Sequence, residues 1–155
     1  VDALAGYTLI VDLDVPSSGF DEQGHVNNVA VLELFQVLRR RYMGDVIGRR
    51  DSGLIPADAV VGVRELICRY ESELMPGEAV RGGCRIVGRS ERSYLFDEQL
   101  VVGERVIARC KVLECVVDRS AARAMPIPET LWTAIEAAEG RAMAPGALPF
   151  PRSDW

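Results

Sequence analysis

Histidine is nearly absent from this chain: His25 is the single one in 155 residues. The four cysteines, Cys68, Cys84, Cys110 and Cys115, form no C-x-x-C pair. A Cys/His zinc site therefore lacks the ligands and spacing it needs. Each cysteine lies in a strand-like run, which predicts buried, reduced, structural thiols of the kind kept in the cytoplasm. Basic residues are also in short supply. Lys plus Arg number 18 against 23 Asp plus Glu, a net charge of −5. That balance excludes a dedicated nucleic-acid binder, which carries a basic excess or stripe. No apolar run approaches the ~20 residues of a membrane-spanning helix. The opening VDALAGYTLIVDLD has early aspartates and no basic segment, and the closing APGALPFPRSDW ends in no lipidation or retention motif. Neither a signal peptide nor a lipid anchor is expected. What remains is a composition of 48% hydrophobic and 26% charged residues. A chain of this length buries about 70% of its unfolded surface as one domain. The expectation is one soluble cytoplasmic domain over 1–140, with a Pro-rich tail over 141–155.

Periodicity orders the chain. YTLIVDL (7–13) reads as a strand. DVPSSGFDEQG, with its Pro, Ser and Gly, reads as a loop. From Val29 to Met43 the apolar positions 31, 34, 35, 38 and 42 have helical spacing. Val29, Leu32 and Val37 widen that apolar surface, which predicts a helix buried on more than one side. Arg39, Arg40 and Arg41 suit its negative end, and Gly44 its stop. Residues 44–58 read mostly as loop. Four strands follow: 59–70, 78–89, 93–102 and 105–118. Val80, Cys84 and Ile86 share one face of the second; Tyr94, Phe96, Leu100 and Val102 share one face of the third; Val106, Ala108, Cys110 and Val112 share one face of the fourth. Arg81, Arg85, Arg109 and Lys111 fall on the opposite, wet face. The links read as three hairpin-like turns, with Gly103-Glu104 as a two-residue turn. A short terminal helix is expected over 126–140. The fold class is α+β, an antiparallel sheet curled about a central helix, with each strand burying one face.

The stretch FDEQGHVNN, Phe20 to Asn28, is the densest in reactive groups. Asn27 or Asn28 can cap the helix that follows. Asp21 can make an Asx turn in the loop, or serve as a general base or nucleophile. Amides at the start of the helix can stabilise an oxyanion, aided by the helix dipole. Gly24 allows backbone to approach a ligand closely. Glu22 reads as solvent-exposed. His25 admits three roles: acid/base, ordering of the loop, or contact with the substrate. Asp21, Glu22 and His25, so close in sequence, make no convincing metal cage.

The order strand, loop, D-x-x-G-H-V-N-N, buried helix and four antiparallel strands resembles the hotdog-fold thioesterases, above all the acyl-CoA thioesterases similar to 4-hydroxybenzoyl-CoA thioesterase. Acyl-ACP thioesterases carry a similar H-V-N-N element. The resemblance covers roughly residues 7–128. It implies hydrolysis of an acyl-CoA to a carboxylic acid and CoA, without metal or organic cofactor. It implies a homodimer, or a homotetramer built from it, with sheets joined edge to edge and active sites between subunits. Asp21 is then the catalytic acid and the amide near Asn28 the group that polarises the thioester carbonyl, with His25 beside them. Gly24, Val26 and Asn27 would line the substrate site. Arg89, Arg92 and Ser93, at the turn between the second and third long strands, would meet the CoA phosphates. The chain departs from the family pattern N-N-x-x-Y-L-x-x-F-E-x-x-R at two positions: Val31 replaces the Tyr and Gln36 the Glu. The second change removes a charge partner for Arg39. Two alternatives stand beside this reading: hydrolysis of an acyl-ACP, and a non-catalytic hotdog that binds acyl-CoA.

Overall fold

The computed structural model describes residues 2–16, 19–48, 53–146 and 148. Its elements run β1 (Leu9–Leu13), α1 (Asn28–Arg41), a π-helical turn (Tyr42–Val46), β2 (Ala59–Tyr70), β3 (Val80–Arg89), β4 (Ser93–Val102), β5 (Arg105–Asp118), β6 (Arg123–Met125) and α2 (Glu129–Glu139). The strands form one antiparallel sheet in the order β1-β3-β4-β5-β2, and β6 adds a short pairing to the end of β5. The sheet curls around α1, the architecture expected from the sequence.

The expected helical stripe packs as drawn. Val31, Leu34, Phe35, Leu38 and Tyr42 are all buried, and each such side chain contributes about 1.5–3 kcal/mol of apolar transfer. They meet Val80, Ile86, Phe96, Leu100 and Val112 from the concave face. Close approach depends on Gly82 in β3: a Cβ there would lie 2.6 Å from a Leu38 methyl. The helix does not stop at Gly44. It widens into the π turn, closed by the Ile47 amide on the Tyr42 carbonyl at 3.0 Å, and this keeps Tyr42 and Met43 in the core.

Several expectations need correction. The links are not all hairpins. β3–β4 and β4–β5 are, but β2 and β3 are not neighbours. Residues 71–79 carry the chain across the sheet end, from the β2 edge to the place beside β1. Their local signal is that of a turn, and a turn signal alone cannot say which strand the chain rejoins. β4 buries both faces rather than one. Tyr94 and Phe96 face α1, while the other face is covered by the N-terminal segment, where the Gln99 amide donates to the Ala3 carbonyl at 2.8 Å. The second apolar side of α1 is not covered within this chain: Val29 is 59% and Val37 38% exposed. β6 was not expected from sequence, and three residues are too few for periodicity to show. In the described part of the tail Met143 is buried and Leu148 lies against Gly88, while Arg141, Ala142, Ala144, Pro145 and Gly146 are exposed.

Arg39 turns inward instead of decorating the helix end. Its guanidinium meets Glu98 at 2.7 Å and Glu114 at 3.2 Å, all three buried. Tyr94 donates its hydroxyl to Glu114 at 3.0 Å. One cation faces two buried carboxyl groups, and burial pushes Glu98 up to about 8 against the pull of Arg39. A raised acid holds its proton in the folded state after the unfolded chain has lost it. The contribution of Glu98 to stability is therefore fully present below the ordinary value of 4.5 and is lost as pH rises toward about 8. Glu98→Gln is expected to match wild type near pH 5 and to exceed it increasingly up to pH 8. Thermal melts of both proteins across that range measure the difference, and a difference independent of pH would count against a protonated Glu98.

Candidate active site

The loop before α1 is closed by its own backbone. The Asp21 amide donates to the His25 carbonyl at 2.8 Å, the Gly24 amide to the Asp21 carbonyl at 3.0 Å, and the Asn27 amide to the Gly19 carbonyl at 2.7 Å. Phe20 and Val26 pair as an isolated bridge across the loop neck. Gly24 sits at φ +80, with no atom within 4 Å of a would-be Cβ. Its requirement is thus the left-handed backbone of the turn rather than space for a ligand. Asp21 does make the Asx-type contact: its Oδ1 accepts from the amides of Gln23 and His25, both at 2.9 Å. Its Oδ2 makes no hydrogen bond among the described residues. One oxygen thus orders the loop, and the other is left without a hydrogen bond among the described residues.

Asn27, not Asn28, caps α1, with its Oδ1 accepting from the Ala30 amide at 2.9 Å. The Val31 amide reaches the Asn27 carbonyl at 3.2 Å. Among the described hydrogen bonds, the Asn28 and Val29 amides donate to none, so two first-turn donors remain open. The first turn holds no acidic residue, which leaves the positive end of the helix dipole uncompensated.

A cleft of about 500 Å³ opens here, lined by Asp21, His25, Val26, Asn27, Asn28 and Val31 on one side. Tyr70, Glu71, Ser72 and Glu73 line the other. This second wall is the start of the β2–β3 crossover and was not expected from sequence. It is held by a bulge in β5, where the Ile107 carbonyl accepts the amides of Glu71 at 2.8 Å and Ser72 at 3.2 Å. The Val26 amide donates to the Leu74 carbonyl at 2.9 Å, which ties crossover to loop. Tyr70 directs its hydroxyl to the Asn28 carbonyl at 3.4 Å, and burial above all pushes that phenol up to about 12. His25 Nε2 lies 3.6 Å from Glu73 Oε2.

The structure brings Asp21, His25, Val26, Asn27 and Asn28 together around this cleft. Gly24 shapes its loop without lining it. Arg89, Arg92 and Ser93 lie apart, at the β3–β4 turn. Arg89 is clamped to α2 by Glu129 and Glu136, both at 2.8 Å, and lies over the Trp132 ring. Ser93 is buried, and Arg92 donates to the Ala124 carbonyl at 2.8 Å while staying half-exposed. No group of three or more His, Cys, Asp or Glu able to hold a metal occurs among the described residues. No described helix is long and apolar enough to cross a membrane.

A family model described as the thioesterase-like superfamily matches residues 15–135, from the segment before the loop to α2. The chain belongs to this superfamily. It is a thioester hydrolase with a hotdog fold. A thioesterase from Thermus thermophilus, solved with coenzyme A and Zn, is similar at 25% identity and TM-score 0.74, over 90% of this chain and 99% of that one. A 1,4-dihydroxy-2-naphthoyl-CoA thioesterase from Synechocystis shares the fold at 14% identity and TM-score 0.68, over 81% of this chain and 93% of that one. A probable thioesterase from Escherichia coli does so at 14% identity and TM-score 0.71, over 83% and 96%. No curated protein sequence matches the chain.

The cap offers a direct test of how the helix start is held. Asn27→Ala is expected to lower stability by about 1 kcal/mol, measured by urea unfolding. An unchanged midpoint would show that the Oδ1 contact to Ala30 contributes nothing.

Proposed function

We propose that this hydrolase cleaves acyl-CoA thioesters, giving a carboxylic acid and CoA, with Asp21 as the catalytic carboxylate. One observation carries the reading: Asp21, whose Oδ2 makes no hydrogen bond among the described residues, and Asn28, whose amide is open along with that of its neighbour Val29, line a single cleft. A thioester carbonyl set against those amides is polarised by donors already in place, so the negative charge of the tetrahedral intermediate meets an aligned dipole. Asp21 acts from the other side. As a base it takes a proton from water that attacks the carbonyl; as a nucleophile it forms a mixed anhydride that water then opens. In both routes the C–S bond breaks and CoA leaves as the thiol. Asn28 acts through its backbone and Asn27 by fixing the helix start. Val26 forms part of the wall. His25 keeps the loop in shape through its amide and carbonyl, and its ring closes the cleft toward Glu73. Arg92, the more open of the two turn arginines, is suited to a CoA phosphate.

A second copy of the chain completes the picture. β2 is a free sheet edge, and Val63, Leu66 and Tyr70 on its α1 side are exposed together with Val29 and Val37. Pairing of β2 edges in a homodimer covers this surface beside the cleft.

Asp21→Ala is expected to reduce kcat/KM by about 10²–10⁴-fold toward acyl-CoAs that the wild type cleaves. A panel of short, long, branched and aromatic acyl-CoAs, followed by loss of thioester absorbance, measures this without thiol reagents. Full activity in the variant would remove Asp21 from the mechanism. His25→Ala is expected to cost about tenfold or less, the worth of one weak polar contact. A loss equal to that of Asp21→Ala would instead assign the imidazole to proton transfer.

A further inference from the structure

Three of the four cysteines lie in one row across the sheet. Leu9, Cys84, Glu98, Cys110 and Cys68 are successive cross-strand neighbours on β1, β3, β4, β5 and β2. Glu98 stands between Cys84 and Cys110. Cys110 and Cys68, by contrast, are opposed to each other directly. Opposed residues of an antiparallel pair have Cα atoms about 4.5 or 5.5 Å apart, and both separations fall in the ~4.4–6.8 Å that a disulfide spans. Both side chains project from the same face of the sheet, as their direct opposition in the antiparallel register requires. Their environments differ. Cys110 is buried under α1, whereas Cys68 is half-buried on the edge strand. Cys84 contacts Glu98 instead, at 3.9 Å, and Cys115 contacts the Gly62 carbonyl at 3.7 Å.

We propose that Cys68 and Cys110 are an oxidisable pair, a modification site that closes to an intramolecular disulfide between β2 and β5 on exposure to a peroxide. Cys68 is the attacking group. Hydrogen bonds from Cys110 and from the Tyr70 hydroxyl lower its thiol, in that order, against the opposing effect of burial. The same contact and burial push the Cys110 thiol up. The thiolate is the form that reacts with peroxide. Its sulfur attacks one peroxide oxygen, the O–O bond breaks, and the departing hydroxide takes up a proton as water. Cys68 is then a sulfenic acid. The Cys110 sulfur attacks the Cys68 sulfur, the S–O bond breaks, and the released hydroxide takes the Cys110 thiol proton as a second water. Two thiols lose two electrons and two protons, and one peroxide is reduced to two waters. Cys68 also lies two residues from Tyr70 on the same face of β2, and the Tyr70 hydroxyl reaches the Asn28 carbonyl. The modification therefore sits one side chain from the start of α1.

The test treats the intact protein with hydrogen peroxide, alkylates remaining thiols after denaturation, and digests with trypsin. Cleavage after Arg64, Arg69, Arg109 and Lys111 releases residues 65–69 and 110–111. The expected result is these two peptides joined, an intact mass lower by about 2 Da for the two thiol hydrogens, and reversal by dithiothreitol. Cys84 and Cys115 are expected to stay alkylatable. Cys68→Ser is expected to abolish the mass loss. The proposal is overturned if Cys68 proceeds to sulfinic acid while Cys110 remains alkylatable. It is equally overturned if the linkage joins other cysteines, if Cys68→Ser loses the same mass, or if neither thiol is oxidised in the folded protein.

Discussion

The cluster of Arg39 with Glu98 and Glu114 fixes what apolar packing leaves loose. Hydrophobic contact is non-directional, and a helix greasy along one stripe can rotate or slide against a concave sheet at modest cost. Directional bonds from one guanidinium to two strands remove that freedom. Arg39 lies eleven residues along α1 from Asn28, about 16 Å at the helical rise. The orientation of the whole rod, and so the placing of its N-terminal amides, follows from an ion cluster far from that end. Buried charges of this kind contribute little net stability, because desolvation opposes their attraction. Their effect here is on geometry.

The second constraint is topological. β2 and β3 take places on opposite sides of β4 and β5, so the chain must cross the end of the sheet between them. That crossing passes the N-terminal end of α1 and supplies the wall Tyr70–Glu73. Two connections with unrelated sequences, the Asp21 loop and the crossover, are thus drawn to one place by strand order. Their junction is a single backbone bond, Val26 to Leu74.

Much of this was legible in the sequence, and the reasons differ by element. The stripe on α1 and the long strands β2, β4 and β5 announce themselves because each repeats its period several times. Asp21, His25 and Asn27 were singled out because a helix start concentrates capping and anion-binding groups in a few residues, and the structure gathers them at one cleft. The crossover was misread because pairing partners are set by tertiary structure. The partners of Arg39 were missed although a signal existed: Glu98 occupies an inward position between Phe96 and Leu100, and an acid there needs a buried cation. The turn arginine Arg89 was expected to meet the CoA phosphates, and α2 brings two carboxylates to it, a contact that no local pattern encodes.

The ring of bonds around Asp21 has a consequence for how this site tolerates change. The acid is a vertex of a loop that closes on itself between Gly19 and Asn27, so its position is set from the helix side. The one described backbone hydrogen bond from the loop to the segment before it is the Gly19 amide on the Pro16 carbonyl at 3.1 Å, so change upstream of Pro16 has little to pull on at the Asp21 carboxylate. Variation can therefore accumulate at that entrance while the acid and the helix amides keep their spacing.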